Sequence, residues 1–210
     1  MPLSLYILTM AAEEVSRELL ARISAGDRAS FRFIVENYQN LLFDLALRLI
    51  GNRQDAEDLV QEAFVRIYRS LPSFDPERKF LNWAYSITLN LARNHLRRRS
   101  LVRFLSLGFV SDDPEDVPSR PEPAEQEAGP AQLLEKAAFT EEFGRVVAGL
   151  PLPLKEVFVL FYFHEHDVRS IAATLGASEN AVKLKLMRAR RFVQSAISVN
   201  YPEIFAGAHL

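Results

Sequence analysis

The chain has 210 residues, 49% hydrophobic and 25% charged, an ordinary soluble composition that suits one large domain or two small ones. It has no cysteine, which excludes a disulfide scaffold, a cysteine-ligated zinc finger and a thiol nucleophile, and it fits a reducing, cytoplasmic setting. Eight glycines are too few for the tight turns of an all-β chain, and 25 Lys and Arg against 27 Asp and Glu leave a net charge of -2, so only the distribution of charge can speak about nucleic acid.

Met1 to Met10 is apolar without a basic start and stops at Glu13 and Glu14, too short for a signal peptide or a membrane span. Met1 to Thr9 reads as a tail or a start-codon artefact, because the amphipathic pattern of Val15, Leu19, Leu20 and Ile23 opens only after Met10. After Gly26 and Asp27, apolar residues from Phe31 through Tyr38, Leu42, Leu45 and Leu49 step by three and four until Gly51 and Asn52 stop the helix. A second helix is expected with Asp55 as its N-cap and an apolar stripe of Ala56, Leu59, Val60, Ala63, Phe64, Ile67, Tyr68 and Leu71 before Pro72. Its opposite face carries Glu57, Asp58, Gln61 and Glu62. A loop over 72–79 leads into a third helix from Phe80 to about Arg99, with Phe80, Trp83, Ala84, Ile87 and Leu91 inside and the Arg97-Arg98-Arg99 run in its last turn, where cations suit the helix dipole.

Five of the eleven prolines lie between Pro114 and Pro130, among seven acidic residues and one Arg120. Such a segment cannot build a core, and residues 106–131 read as a disordered, extended linker. The fold class is therefore all-α, in two small helical domains over 13–105 and 132–198, with tails over 1–12 and 199–210. In the second domain a helix is expected over 134–150, the Pro151 and Pro153 pair interrupts it, and another apolar helix covers 155–163. A short helix over 168–175, a turn at Gly176 and an N-cap at Ser178 then introduce a longer helix through about Ala196.

Ala172, Gly176 and Val182 have helix-turn-helix spacing: a small residue for close helix crossing, a glycine for the turn's positive φ, and a valine that packs the second helix back. The second helix holds Lys183, Lys185, Arg188, Arg190 and Arg191 with no acid among them, around a buried stripe of Val182, Leu186, Ala189 and Val193. That face suits phosphates and base edges. A second cluster, Arg93, Arg97, Arg98, Arg99 and Arg103, adjoins Asn82, Trp83, Tyr85, Ser86, Asn90 and Asn94, the aromatics, amides and cations that unpaired DNA needs. Trp83 reads equally as core. Phe74, Arg78 and Lys79 in the preceding loop are expected to be exposed.

The run from Asp55 to Pro72, followed by Phe80 to Arg99, closely resembles sigma domain two of the extracytoplasmic-function (ECF) sigma factors of the sigma-seventy family, and 150–191 resembles their sigma domain four. The resemblance implies a non-enzymatic transcription initiation factor that binds core RNA polymerase and directs it to promoters, recognising and melting the minus-ten element through domain two and reading the minus-thirty-five element through domain four. It implies that Asp55, Glu57, Asp58, Gln61 and Glu62 bind polymerase. It implies DNA contacts by Phe74, Arg78, Lys79, Asn82, Trp83, Ser86, Asn90, Arg93 and Arg97 in domain two, and by Ser178, Asn180, Lys183, Lys185 and Arg188 in domain four. Many members also have an anti-sigma partner. No cofactor is expected.

The sequence departs from the family where a serine and an arginine usually follow the recognition lysine: here stand Leu184 and Lys185. Leu184 lies about 200° around the helix from Val182 and faces outward, either onto a thymine methyl or as an exposed leucine of no consequence. His164-Glu165-His166-Asp167 replaces the usual Gly-containing turn, and without a third ligand it reads as a solvated turn, not a metal site. Two other classes compete. A stand-alone helix-turn-helix regulator has no use for a strand-opening surface, and a nucleic-acid enzyme needs convergent carboxylates in a pocket, whereas those here line a helix face.

Overall fold

Several of the helices begin where a short polar side chain takes up free backbone amides. Ser16 accepts from the Leu19 amide and opens α1, Arg17–Ser24. Asp27 accepts from the amides of Ala29 and Ser30 and opens α2, Arg28–Ile50, which ends on Gly51 in the left-handed conformation at φ 81°. A side chain with a Cβ would be strained there. This computed structural model describes residues 15–106, 130–199 and 201, with side chains at 15–23, 25–102, 138–199 and 201. The expected 107–129 stretch of the linker, the N-terminal tail and most of the C-terminal tail lie outside the described residues.

The next helix, α3, runs Arg53–Ser70 and corrects one expectation: its N-cap is Asn52, whose side chain accepts from the Asp55 amide at 2.9 Å. Asp55 is one turn inside. Because α2 ends at Gly51 in a single left-handed residue, the new helix starts three residues earlier than the apolar stripe indicates. A 3-10 turn, Leu71–Ser73, follows α3.

The third long helix, α4, extends over Phe80–Ser106, beyond the expected end near Arg99 and one residue past the expected domain limit. No Gly or Pro follows the arginine run until Gly108, so nothing local stops the helix. Arg97, Arg98 and Arg99 are consequently mid-helix and do not cap its dipole. α2 packs on both α3 and α4, and α3 packs on α4. Their core is formed by Ile34, Tyr38, Leu42, Leu45 and Leu49 from α2, Ala56, Ala63 and Ile67 from α3, and Ala84, Tyr85, Leu89 and Ala92 from α4. Fully burying one such aliphatic side chain contributes about 1.5–3 kcal/mol. Tyr85, expected beside the DNA-facing residues, is instead completely buried, and burial pushes its phenol well above the usual tyrosine range. Two neighbours flank α4, so its inward arc is wider than one stripe.

The second unit contains α5, Pro130–Ala148, and α6, Leu152–Tyr162, both starting three or four residues earlier than expected. Pro130 and Pro153 sit in first turns, where a missing amide costs nothing. The short α7, Val168–Leu175, and Gly176 at φ 61° lead to α8, Glu179–Ile197, with Ser178 as its N-cap. α8 packs on α5 and α6 around Val147, Leu150, Phe158, Ala189, Val193 and Ile197. The regular elements among the described residues are all helices, without a strand, and the residues divide into two compact units. No helix among them is long and apolar enough to cross a membrane.

Candidate nucleic-acid interface

On α4 the expected residues Asn82, Ser86, Asn90, Arg93 and Arg97 follow one another by three or four, so all five fall within an arc of about 80°. Asn90 and Arg97 are exposed and the other three half-buried, so the arc opens to solvent on the side away from the buried Thr88. Arg93 donates to the Asn90 carboxamide oxygen at 3.1 Å, and Arg97 donates to that of Asn94 at 3.3 Å. Each cation is thereby held beside an amide that retains its own NH2 donor. Ser86 donates to the Trp83 carbonyl at 2.7 Å, one turn back along its own helix.

At the start of α4 an aromatic stack climbs out of the core. Tyr38 meets Phe80 at 5.0 Å, Phe80 meets Trp83 at 5.5 Å, and Phe74 lies on Trp83 at 4.7 Å with the rings inclined by 40°. Trp83 therefore borders both core and solvent. Phe74, expected to be exposed, is half-buried because it covers Trp83 and Phe80, whereas Arg78 and Lys79 are exposed. Asp75 orders this loop: its side chain accepts from the Glu77 amide, its carbonyl from the Arg78 amide, and Glu77 is ion-paired to Arg17 of α1.

The acidic helix face is split by its partners. Asp58 and Gln61 are exposed on α3, while Glu57 pairs with Arg53 at 3.0 Å and Glu62 with Arg66. Such exposed i,i+4 pairs contribute only about 0.3–0.5 kcal/mol and exchange readily with another charged surface. Asp55 is different: it faces α4, 3.4 Å from the His95 ring and 3.9 Å from Arg99. The arginine run is therefore divided, with Arg97 on the outward arc and Arg99 turned to α3.

On α8 the expected buried stripe of Val182, Leu186, Ala189 and Val193 is buried, as is Ala172 of α7. Asn180, Lys183 and Arg188 are exposed, Lys185 is half-buried on the flank, and Ser178 uses its hydroxyl oxygen as the cap. Arg190 is committed elsewhere: its Nε donates to the Tyr162 hydroxyl at 2.6 Å and its guanidinium lies over the rings of Phe161 and Tyr162. Leu184 is 44% exposed, as the helical period expects. No group of three His, Asp or Glu among the described residues could hold a metal, and in the 164–167 turn the His166 ring meets the His164 carbonyl at 2.9 Å.

Two family profiles match in the order the geometry suggests, Sigma-70 region 2 over residues 34–102 and Sigma-70 region 4 over 140–193. The chain belongs to the sigma-70 family, in its ECF class. It is an RNA polymerase sigma factor of promoter-directed transcription initiation, which binds polymerase and promoter DNA. It is 28% identical to the RNA polymerase sigma-H factor of Pseudomonas aeruginosa over 197 residues, 90% of this chain and 96% of that relative. It is also 28% identical to the ECF RNA polymerase sigma factor SigW of Bacillus subtilis over 189 residues, 88% of this chain and 98% of the other. The solved structure of CnrH in complex with the cytosolic domain of CnrY superposes with a TM-score of 0.61 at 26% identity, covering 89% of this chain and 99% of that one. The sigma factor RpoE in complex with the anti-sigma factor NepR from Bartonella quintana shares the fold, with a TM-score of 0.63 at 20% identity, over 81% and 98% of the two chains.

One residue of this sigma factor's α8 joins the outward face without having been singled out: Met187 is 40% exposed, and Arg191, named only among the helix's cations, is exposed beside it. The signal was available in the period: residues 180, 184, 187 and 191 step by three and four opposite the Val182 stripe.

Proposed function

We propose that the first helical unit docks on polymerase through the exposed acids of α3 and opens the minus-ten element with the 74–79 loop and the α4 arc, while the second reads the minus-thirty-five element with α8. The observation that carries this reading is the alignment of Asn82, Asn90, Arg93 and Arg97 on one solvent-facing arc next to the Phe74–Trp83 ring stack. Unpaired bases stack on ring faces, carboxamides bond their exposed Watson-Crick edges, and guanidiniums hold the phosphates between them. A duplex offers none of those base edges, so the surface has a use only where strands separate. The chemistry of RNA synthesis stays with the polymerase, in the cytoplasm, and the sigma factor contributes position and strand opening. An anti-sigma factor is a further partner in this reading, of the kind that NepR is for the sigma factor RpoE.

Run-off transcription with core polymerase tests the reading. Phe74→Ala and Asn82→Ala are expected to reduce transcript from a duplex promoter, Phe74→Ala by about 5- to 150-fold, taking roughly 1–3 kcal/mol per stacked base. On a template already mismatched across the minus-ten element the loss should be much smaller. Equal losses on both templates would overturn the strand-opening role.

A further inference from the structure

The outward face of α8 is not uniformly basic. Between exposed Lys183 and Arg188 it presents Leu184 and Met187, 44% and 40% exposed, one turn apart. On a helix these two side chains are neighbours, with Cβ atoms about 5–6 Å apart. Neither is needed for folding: the buried stripe of the helix runs through Val182, Leu186, Ala189 and Val193 on the other side. The pair sits in the first two and a half turns behind the Ser178 cap, the part of a recognition helix that approaches base edges. Its surroundings are cationic, with Lys183, Arg188 and Arg191 on the same side and no acidic residue from 180 to 198. An apolar surface rimmed by cations and the neutral Asn180, with no acid beside it, fits a polyanion that itself displays an apolar group, and the major groove offers one, the C5-methyl of thymine.

We infer that Leu184, flanked by Met187, is a specificity-determining residue of the upstream promoter element, selecting a thymine by burying its methyl group while Lys183 and Arg188 hold the neighbouring phosphates. This rests on the reading of α8 as the duplex-reading helix. Leu184 has no hydrogen-bonding group, so it can favour thymine over cytosine only through the methyl, and it penalises a polar exocyclic group brought against it. Met187, unbranched and adaptable, fills the space beside it.

Deoxyuridine differs from thymidine by that methyl alone, which makes the inference separable from everything else α8 does. The full-length sigma factor in complex with core polymerase selects a preferred upstream element from a randomised duplex, and each thymine in the selected duplex is then replaced singly by deoxyuridine. For the wild-type protein one replacement is expected to weaken binding about fourfold, the fold-change equivalent of about 0.8 kcal/mol for one buried methyl-sized group. With Leu184→Ala the same replacement should make no difference, and selection should no longer favour thymine there. If no deoxyuridine replacement weakens wild-type binding, or if the replacement costs the Leu184→Ala protein as much as the wild type, the inference is overturned. The underlying reading fails differently: Lys183→Ala and Arg188→Ala would then leave the salt dependence of duplex binding unchanged. Circular dichroism melting of Leu184→Ala, expected to match the wild type, separates a lost contact from a lost fold.

Discussion

Five cations stand on α8, but the structure assigns them unequal tasks, and salt dependence can read the difference. Lys183, Arg188 and Arg191 face outward and are exposed, whereas Arg190 is bound to the Tyr162 hydroxyl and lies over two rings of α6. Each phosphate neutralised by a cation releases counterions and steepens the fall of log affinity with log salt by about 0.9. Three such contacts give a slope of about 2.7, which corresponds to roughly a 40-fold loss of affinity between 50 and 200 mM salt. Removing one of them should return about 3- to 4-fold of that loss. The measurement is the fluorescence anisotropy of a labelled upstream duplex titrated with the polymerase complex at several salt concentrations. Phosphate contacts made by the polymerase itself cancel in the slope difference between variant and wild type. Lys183→Ala, Arg188→Ala and Arg191→Ala should each lower the slope by about one. Arg190→Ala should leave the slope alone and instead lower the melting temperature, because a cation–ring contact contributes about 0.5–1 kcal/mol. If Arg190→Ala flattens the slope as much as Arg188→Ala does, the division of labour is wrong and α8 meets DNA along a different face.

Reversing Asp58 and Glu62 to Lys should weaken capture by core polymerase in a pull-down, most at low salt, without changing the melting temperature, since both side chains are exposed on α3. Asp55→Asn should do the opposite, lowering the melting temperature by the equivalent of about 1 kcal/mol through loss of the α3–α4 contact with His95 and Arg99, with little change in capture. Asp27 is held down to about 2 by hydrogen bonds from Ser30 and Arg22, below its ordinary 3.8. A depressed carboxyl stabilises the fold above its ordinary value and loses that contribution as pH falls through the lower one. The α1–α2 corner should therefore loosen between about pH 4 and 2 in hydrogen exchange, and Asp27→Asn should remove that pH step.

Much of this architecture was legible because period and caps agree. The stripe from Ile34 to Leu49 and the Val182 stripe are one-sided faces, Gly51 and Gly176 mark boundaries by a left-handed conformation few other residues adopt, and Ser178 marks one by its side-chain cap. The misreadings have physical causes. Asp55 looked like a cap because the apolar stripe begins beside it, but Asn52 is closer to the chain reversal at Gly51. Tyr85 looked available because a single stripe was assigned to α4, while two packed neighbours bury a wider arc. The arginine run suggested a helix end, yet charge alone does not terminate a helix that lacks a breaker. On the candidate interface, the α4 residues came out on one arc because they had been spaced by three and four. The tethering of Arg190 and Asp55 was not legible, since it depends on partners in other helices, Tyr162, His95 and Arg99.

The two sides of α8 answer to different demands. Leu186, Ala189, Val193 and Ile197 are locked into the second unit's interior, while residues 180, 184, 187 and 191 project from a scaffold that does not depend on them. Substitutions at those outward positions can accumulate with almost no thermodynamic penalty, as surface changes usually fall within about 0.5 kcal/mol. After gene duplication, two copies of such a protein could diverge in the regulons they serve by exchanging a handful of side chains along one helix, each intermediate still folding. The same separation makes α8 a graftable cassette, whose outward residues can be replaced as a set to redirect the protein to a new promoter.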